Sequence, residues 1–112
     1  MSKTVFEKII AREIPATIIY EDDEFIAFKD IKPAAKVHVL IVTKKAYPTL
    51  EAIPLDDPIQ FRLFQLVRRL AQELGIADNY KIHLNVGDKV QAVPHLHVHL
   101  LGGFEKETPT AL

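Results

Sequence analysis

The chain has 112 residues, of which 48% are hydrophobic, 14 basic and 15 acidic, with a formal net charge of −1. This composition indicates one folded domain and excludes disorder, and the balanced charge argues against a nucleic-acid partner bound through a broad basic surface. The absence of cysteine excludes a disulfide framework and a thiolate nucleophile, and no run of about 18 apolar residues is present to span a membrane. Because residues 1–4 lack the apolar segment of a signal peptide, we expect a cytoplasmic protein without a membrane partner.

The N-terminal half predicts one short helix and three strands. Thr4 and Glu7 have the spacing of a capping box, so a helix is expected from there to about Arg12, ending before Pro15. Residues 16–20 and 24–29 predict two strands of a hairpin, joined by an acidic turn. Residues 37–43 are rich in β-branched side chains and almost continuously apolar, which is typical of a central strand.

The C-terminal half predicts the longest helix and two further strands. Asp57 and Pro58 fit the N-cap and first position of that helix, its apolar residues recur at helical spacing up to Leu74, and Gly75 fits the position that ends it. Residues 80–85 predict a fourth strand. A loop over residues 87–93 then leads into a fifth.

This order of elements predicts an α+β domain around a five-stranded, mostly antiparallel sheet, because regular strand–helix alternation is missing. We expect a single domain over residues 1–112, with an ordered core at about 4–103 and a loosely held tail at 104–112. Both main helices are expected on one face of the sheet, which leaves the other face free. The short chain and an open sheet edge favour a symmetric dimer.

The fifth strand lies between Pro94 and Gly103 and contains three histidines at a spacing of two. Side chains alternate along a strand, so His95, His97 and His99 are expected on one face. The residues between them are apolar and are expected to face the core on the other side. The strand would therefore present a row of imidazoles, which titrate near neutral pH.

Three uses of such a row can be weighed. A single zinc ion would need all three side chains within about 2.1 Å, yet the row spans about 13 Å, so a metal site is the minor alternative. Polar spacers on a wet strand face are a second alternative, which three histidines in register on a very apolar strand disfavour. The third is covalent catalysis at phosphorus, in which a middle imidazole attacks and its neighbours donate hydrogen bonds.

The stretch His-Leu-His-Val-His-Leu-Leu resembles the signature of the histidine triad (HIT) family, and Gly102-Gly103 resembles its purine nucleoside phosphoramidase branch. The resemblance covers about residues 4–103. Further matching segments are Glu13 to Ala16, Tyr20 to Asp23, Phe28 to Ile31, Pro33, His38, Leu40 to Val42, Tyr80, Asn85 and Gly87.

The resemblance implies a homodimer that hydrolyses phosphoramidates of purine nucleoside monophosphates (AMP or GMP derivatives) without metal or cofactor. His97 would be the nucleophile, His99 would contact the α-phosphate and leaving group, and His95 and His38 would orient the row. Asp30 would accept the ribose hydroxyls, and Asn85 would hold the phosphate side. The base pocket would consist of Phe6, Ile9, Phe28, Ile31 and Leu40.

Taken one by one, several of these residues have ordinary structural explanations. Asp30 would be a turn residue, His38 a satisfied core histidine, Asn85 a strand-end cap, and Phe28 and Ile31 core. They gain a functional interpretation only beside the triad. His83 shares a strand face with Asn85 but matches nothing in the family, so a structural role is favoured for it.

The loop before the triad departs from the branch pattern of a Gly-Gly pair before Gln91, often followed by serine. Lys89 and Val90 stand in place of the glycines, Ala92 stands in place of the serine, and the loop is one residue short. Because alanine cannot donate to a leaving-group nitrogen, we expect an altered leaving-group preference, with Lys89 as a substitute donor. The tail lacks the branch's Trp-Pro-Pro-Gly ending.

Two other functions remain as alternatives. A dinucleoside polyphosphate hydrolase of the same family is the nearest enzyme rival, whereas a transferase branch with Gln at the position of His99 fits less well. A nucleotide-binding interaction module with incidental catalysis would use the same residues.

Overall fold

The computed structural model describes residues 3–105, so the predicted tail lies largely outside the described residues. The elements in chain order are α1 (Val5–Ile10), β1 (Ile18–Glu21), β2 (Phe25–Lys29), β3 (Val37–Thr43), a short 3₁₀ helix (Leu50–Ala52), α2 (Ile59–Glu73), β4 (Tyr80–His83) and β5 (His97–Gly102). Within residues 3–105, no helix has both the length and the apolar character needed to cross a membrane.

The short helix α1 begins at the predicted capping box, which is confirmed. The Thr4 hydroxyl accepts the Glu7 amide at 3.2 Å, and the Thr4 amide donates to the Glu7 carboxylate at 3.0 Å. The helix ends at Ile10, two residues earlier than predicted. Arg12 follows with φ of +62°, a left-handed conformation that stops the helix.

The hairpin of β1 and β2 is held by the predicted acidic turn. One carboxylate oxygen of Asp22 accepts the amides of Glu24 and Phe25, each at 2.7 Å, and the other accepts the Tyr20 hydroxyl at 2.6 Å. These bonds satisfy the turn backbone and fix the start of β2.

The long helix α2 begins one residue later than predicted, with Pro58 instead of Asp57 at the N-cap, whereas Gly75 follows the helix end as predicted. The Asp57 carboxylate accepts the Ile59 amide at 2.9 Å, and Gly75 takes a left-handed φ of +73° just after the C-cap Leu74. The buried residues of α2 form the predicted apolar stripe and pack on the sheet.

All five strands pair antiparallel, in the order β1-β2-β3-β5-β4. The α+β class and the five-stranded sheet are therefore confirmed. Strand β3 is central as predicted, and β4 is one edge. Strands β4 and β5 are shorter than predicted, since β4 ends at His83 and β5 begins only at His97.

The expectation that both helices cover one face is wrong. Helix α2 packs with Val39, Ile41, Val98 and Leu100 on one face. The α1 residues Phe6 and Ile9 instead pack on the other face, in a cluster with Ile26, Phe28, Leu40 and Val42. The physical reason is that β2 and β3 carry apolar side chains on both faces, so the histidine side also needs a cover. Helix α1 covers only part of that side and leaves a cavity beside it.

Candidate active site

A cavity of about 430 Å³ lies on the sheet face that carries the histidines. Its apolar side is formed by α1 with the following loop and by β2 and β3. Its polar side is formed by β4, β5 and the loop before β5. The polar residues of the lining include Asp30, His83, Asn85, His97 and His99.

The strand registers place the floor of the cavity in rows. Leu40 of β3 pairs with Phe28 on one side and with His99 on the other, and His99 pairs with His83 of β4. Across the four strands, this row therefore runs from two apolar side chains to two imidazoles. A slot of this kind suits a ligand with an apolar ring at one end and a polar group at the other.

His97 is held in one tautomer by the backbone. Its Nδ1 lies 2.6 Å from the carbonyl oxygen of His95, and since a carbonyl only accepts, Nδ1 carries the proton. In the neutral ring, Nε2 then carries a free lone pair. The ring lines the cavity and meets the Phe6 ring edge-on, with centroids 4.9 Å apart. This is the arrangement that an imidazole nucleophile requires.

His99 is held in the opposite tautomer by a chain of hydrogen bonds. The Ala34 amide donates to Nδ1 of His38 at 3.0 Å, so the proton of neutral His38 sits on Nε2. That nitrogen lies 2.9 Å from Nδ1 of His99 and donates to it. The remaining nitrogen of neutral His99, Nε2, therefore carries a proton. The site combines a lone pair on His97 with a donor on His99.

Burial, followed by the neighbouring imidazoles, lowers the pKa of His99 to about 4. His99 is therefore neutral at pH 7. Nδ1 of His99 therefore accepts from His38, and its Nε2 keeps its proton at this pH.

His95 is fully buried and does not line the cavity. Its Nε2 donates to the Thr43 carbonyl oxygen at 2.6 Å, and its Nδ1 lies 3.5 Å from the Thr4 hydroxyl. Burial lowers the pKa of His95. Its backbone carbonyl orients His97, so the residue lies behind the reacting groups, a position that fits the predicted orienting role.

The other predicted site residues divide into two groups. Those that line the cavity are Phe6, Ile9, Phe28, Asp30, Ile31, Leu40 and Asn85. Asp30 also makes a turn, since its Oδ1 accepts the Lys32 amide at 2.9 Å, and its Oδ2 lies 3.5 Å from Nε2 of His38. Ile31 is 90% exposed, so it forms the rim of the cavity.

Gln91 and Lys89 are absent from the cavity lining. The Gln91 side chain accepts the Gly87 amide at 2.7 Å and donates to the carbonyl oxygens of Pro48 and Val93. It thereby shapes the loop before β5. The loop presents Val90 and Ala92 to the cavity instead.

His83 lines the cavity, although the sequence favoured a structural role for it. Its ring stacks on His99, with centroids 4.1 Å apart and planes 18° from parallel. Alternation along the predicted fourth strand, residues 80–85, places His83 and Asn85 on one face, and both line the cavity. What the sequence could not supply was the pairing of β4 with β5.

Among residues 3–105, Asp30, His38 and His99 bring atoms of metal-binding type within 4.8 Å of one another. The close pair of nitrogens in this group already forms the His38–His99 hydrogen bond. His95 and His97 each use one ring nitrogen to donate to a backbone carbonyl oxygen. The ring nitrogens of the site are thus arranged as hydrogen-bond donors and acceptors that can contact a ligand.

Comparison with known proteins gives the same assignment along the chain. Residues 11–106 match the model of the HIT domain family. An uncharacterised HIT-like protein of Synechocystis is 49% identical over 89% of this chain and 90% of its own length. Adenylylsulfatase HINT1 of Arabidopsis thaliana is 38% identical, over 96% of this chain and 76% of that protein.

Among solved structures, a HIT family hydrolase from Clostridium thermocellum superposes with a TM-score of 0.89 at 43% identity, covering 100% of this chain and 99% of that one. The family resemblance drawn from the sequence is thus confirmed, and the chain belongs to the HIT domain family.

Proposed function

We propose that the protein is a hydrolase that acts at the α-phosphate of purine nucleoside monophosphate derivatives, in particular phosphoramidates, through a covalent nucleotidyl-His97 intermediate. The observation that carries this proposal is the 2.6 Å hydrogen bond from Nδ1 of His97 to the His95 carbonyl oxygen, beside the donor nitrogen of His99. A lone pair and a hydrogen-bond donor thus lie side by side on one strand.

In the first step, the lone pair on Nε2 of His97 attacks the α-phosphorus. The bond from phosphorus to the leaving nitrogen breaks, and the leaving amine takes its electron pair together with a proton from solvent at the open side of the cavity. The His95 carbonyl accepts from Nδ1–H and stabilises the positive charge that forms on the His97 ring. The N–H of His99 donates to a phosphate oxygen as negative charge builds there.

In the second step, water attacks the same phosphorus and loses a proton to solvent. The bond from phosphorus to Nε2 breaks, its electron pair returns to His97, and the nucleoside monophosphate leaves. His99 need not change protonation state, which agrees with the pKa of about 4. The residues account for both steps without a metal ion or cofactor.

The cavity offers a place for each part of the substrate. Phe6, Ile9, Phe28 and Leu40 provide apolar walls for a purine base. Asp30 lies at the same end, and a carboxylate there can accept both ribose hydroxyls. Asn85 also lines the cavity, and we assign it to the phosphate side. The Arabidopsis relative is named an adenylylsulfatase, which supports an adenylyl group as the part retained on the enzyme.

The test is single-turnover hydrolysis of adenosine 5′-phosphoramidate, followed by intact mass. We expect a transient adduct of one nucleoside monophosphate in the wild type and none in His97→Ala. The matched control Gln72→Ala alters an exposed position on α2 and should form the adduct as the wild type does. Retained nucleotide binding without adduct or turnover would refute the hydrolase and favour the binding module. Preferential cleavage of diadenosine polyphosphates would favour the other hydrolase branch.

We also propose a homodimer formed through the β4 edge, where Ile82 is 40% exposed. One flank of α2 faces β1, since Arg62 pairs with Glu24 and Arg69 lies over the Tyr20 ring. The opposite flank therefore points towards β4 and carries Phe64, which is 51% exposed. Phe61, which is 67% exposed, lies one turn before it at the outer side of α2, and a second copy would cover both rings.

Sedimentation velocity tests the dimer. The wild type should sediment as a dimer and Phe61→Asp as a folded monomer, while a monomeric wild type at micromolar concentration would contradict the proposal. The cytoplasmic location inferred from the sequence remains a prediction.

A further inference from the structure

We propose that His83 is a specificity-determining residue that contacts the leaving group, and that it favours amine leaving groups bearing a carboxylate. This inference rests on the proposed function and deepens it. It assigns a substrate contact to a residue for which the sequence offered only a structural role.

The position of His83 is fixed by strand pairing. His83 on β4 pairs with His99 on β5, and the two rings stack face to face at 4.1 Å. Both rings line the cavity. A group that touches the N–H of His99 on the β4 side must therefore also approach His83.

The ring nitrogens of His83 are available to hydrogen-bond with a substrate. The ring-nitrogen hydrogen bonds within residues 3–105 belong to the other four histidines, and the His83 side chain is exposed. Partial desolvation, the neighbouring imidazoles and Lys81 lower its pKa, so the ring is neutral at pH 7. A neutral imidazole offers one N–H donor and one acceptor lone pair.

The row of side chains across the floor sets which end of the substrate meets His83. Phe28 and Leu40 lie on one side of His99, at the apolar end that suits the nucleoside, and His83 lies on the other side. In-line displacement places the leaving group opposite the attacking nitrogen of His97. With the nucleoside at the apolar end, the free space for the leaving group is beside His83.

Charge at this end favours an anion. Lys81 shares its β4 face with His83, two residues before it, and its positive charge is one of the causes that lower the pKa of His83. The carboxylate of Asp30 lies on the β3 side of His99, where its Oδ2 is 3.5 Å from Nε2 of His38. A carboxylate on the leaving amine would therefore meet the N–H donor of His83 and the positive potential of Lys81 here, with the His99 ring between it and Asp30.

The experiment compares two substrates, adenosine 5′-phosphoramidate, which releases ammonia, and the AMP derivative linked through nitrogen to alanine, which releases a carboxylate-bearing amine. The measured quantity is the ratio of their kcat/KM values, alanine derivative over phosphoramidate. A hydrogen bond to a charged group contributes about 1.5–3 kcal/mol, so losing it should lower the ratio about tenfold or more.

His83→Val removes both the ring and its hydrogen bonds, His83→Phe keeps a stacked ring, and His83→Asn keeps a donor. We expect the ratio to fall about tenfold in the Val and Phe variants and to remain within about threefold of wild type in Asn. Tyr80→Phe, a conservative change on the other face of β4, is the matched control. An unchanged ratio in the Val and Phe variants would overturn the proposal, as would an equal fall for both substrates.

A binding measurement separates this inference from the proposed function. On a His97→Ala background, which cannot form the adduct, titration calorimetry gives the Kd of the alanine derivative and of AMP. His83→Val should weaken the alanine derivative about tenfold relative to AMP, and equal changes would refute the leaving-group contact. Absence of turnover in the wild type would refute the hydrolase, whereas this binding comparison would still decide the role of His83.

Discussion

The neutral state of His99 makes the stability of the fold depend on pH between about 4 and 6.5. Its pKa is about 4 in the folded chain, against an ordinary value of 6.5, so the unfolded chain binds this proton first as the pH falls. The stability linked to His99 is therefore fully present above pH 6.5 and is lost progressively down to pH 4. The difference between these two pKa values corresponds to about 3.4 kcal/mol in the free energy of unfolding. About 2 kcal/mol of that free energy is lost between pH 7.5 and pH 5.

Urea unfolding followed by circular dichroism, at pH 7.5 and pH 5.0 and one protein concentration, measures this loss. His99→Gln should lose about 2 kcal/mol less than the wild type between the two pH values. Burial also lowers the pKa of His83 and His95, so they add to the wild-type loss in the same direction. Asn85→Gln alters the same cavity without removing a titratable group and should keep the wild-type pH dependence. Equal losses in wild type and His99→Gln would refute the reasoning.

Three further substitutions test packing and the loop. Gly102→Ala would bring a Cβ to 2.6–2.8 Å from side-chain atoms of Ile76 and should destabilise the fold by about 1–3 kcal/mol in urea unfolding, with Ile76→Val relieving part of that loss; an unaffected midpoint would contradict the close contact. Leu70→Ala, at a position 1% exposed beneath the sheet, should lower the free energy of unfolding by about 2–5 kcal/mol, measured in the same way, and a loss below 1 kcal/mol would contradict that burial. Ala92→Ser places a hydroxyl on the cavity wall and should raise phosphoramidate turnover; unaltered turnover would count against the argument from the loop.

Much of the fold follows from local sequence signals. The capping box at Thr4, the Asp22 turn and the left-handed Gly75 are decided by a few neighbouring residues, so the sequence is sufficient to predict them. The helical spacing of the apolar residues in α1 is also a local signal, and Phe6 and Ile9 are the buried residues of that helix. That spacing could not identify which face of the sheet they would cover, because that depends on contacts distant in sequence.

In the site, too, the sequence predicts what local spacing decides but not the contacts between residues distant in sequence. Alternation along the fifth strand predicted that His97 and His99 share a face, and both line the cavity. His95 lies just before the strand, and its ring packs against Phe6 on the same side of the sheet as His97, but it is buried, bonds to the Thr43 carbonyl oxygen and does not line the cavity. The stacking of His83 on His99 depends on the register between β4 and β5. The hydrogen bond from the Gln91 side chain to the Pro48 carbonyl oxygen joins residues that are distant in sequence. Neither can be read from spacing.

The contact of Thr4 with His95 has a practical consequence for handling the protein. A helix of six residues is too short to be stable alone, and α1 is held by its cap and by the site that it covers. The Thr4 hydroxyl belongs to both, because it caps α1 and lies 3.5 Å from Nδ1 of His95. An affinity tag or fusion partner joined to Met1 would be attached only three residues before Thr4, and it would therefore act on the reacting groups as well as on the chain end. Kinetic work on this protein should use material from which any N-terminal tag has been cleaved.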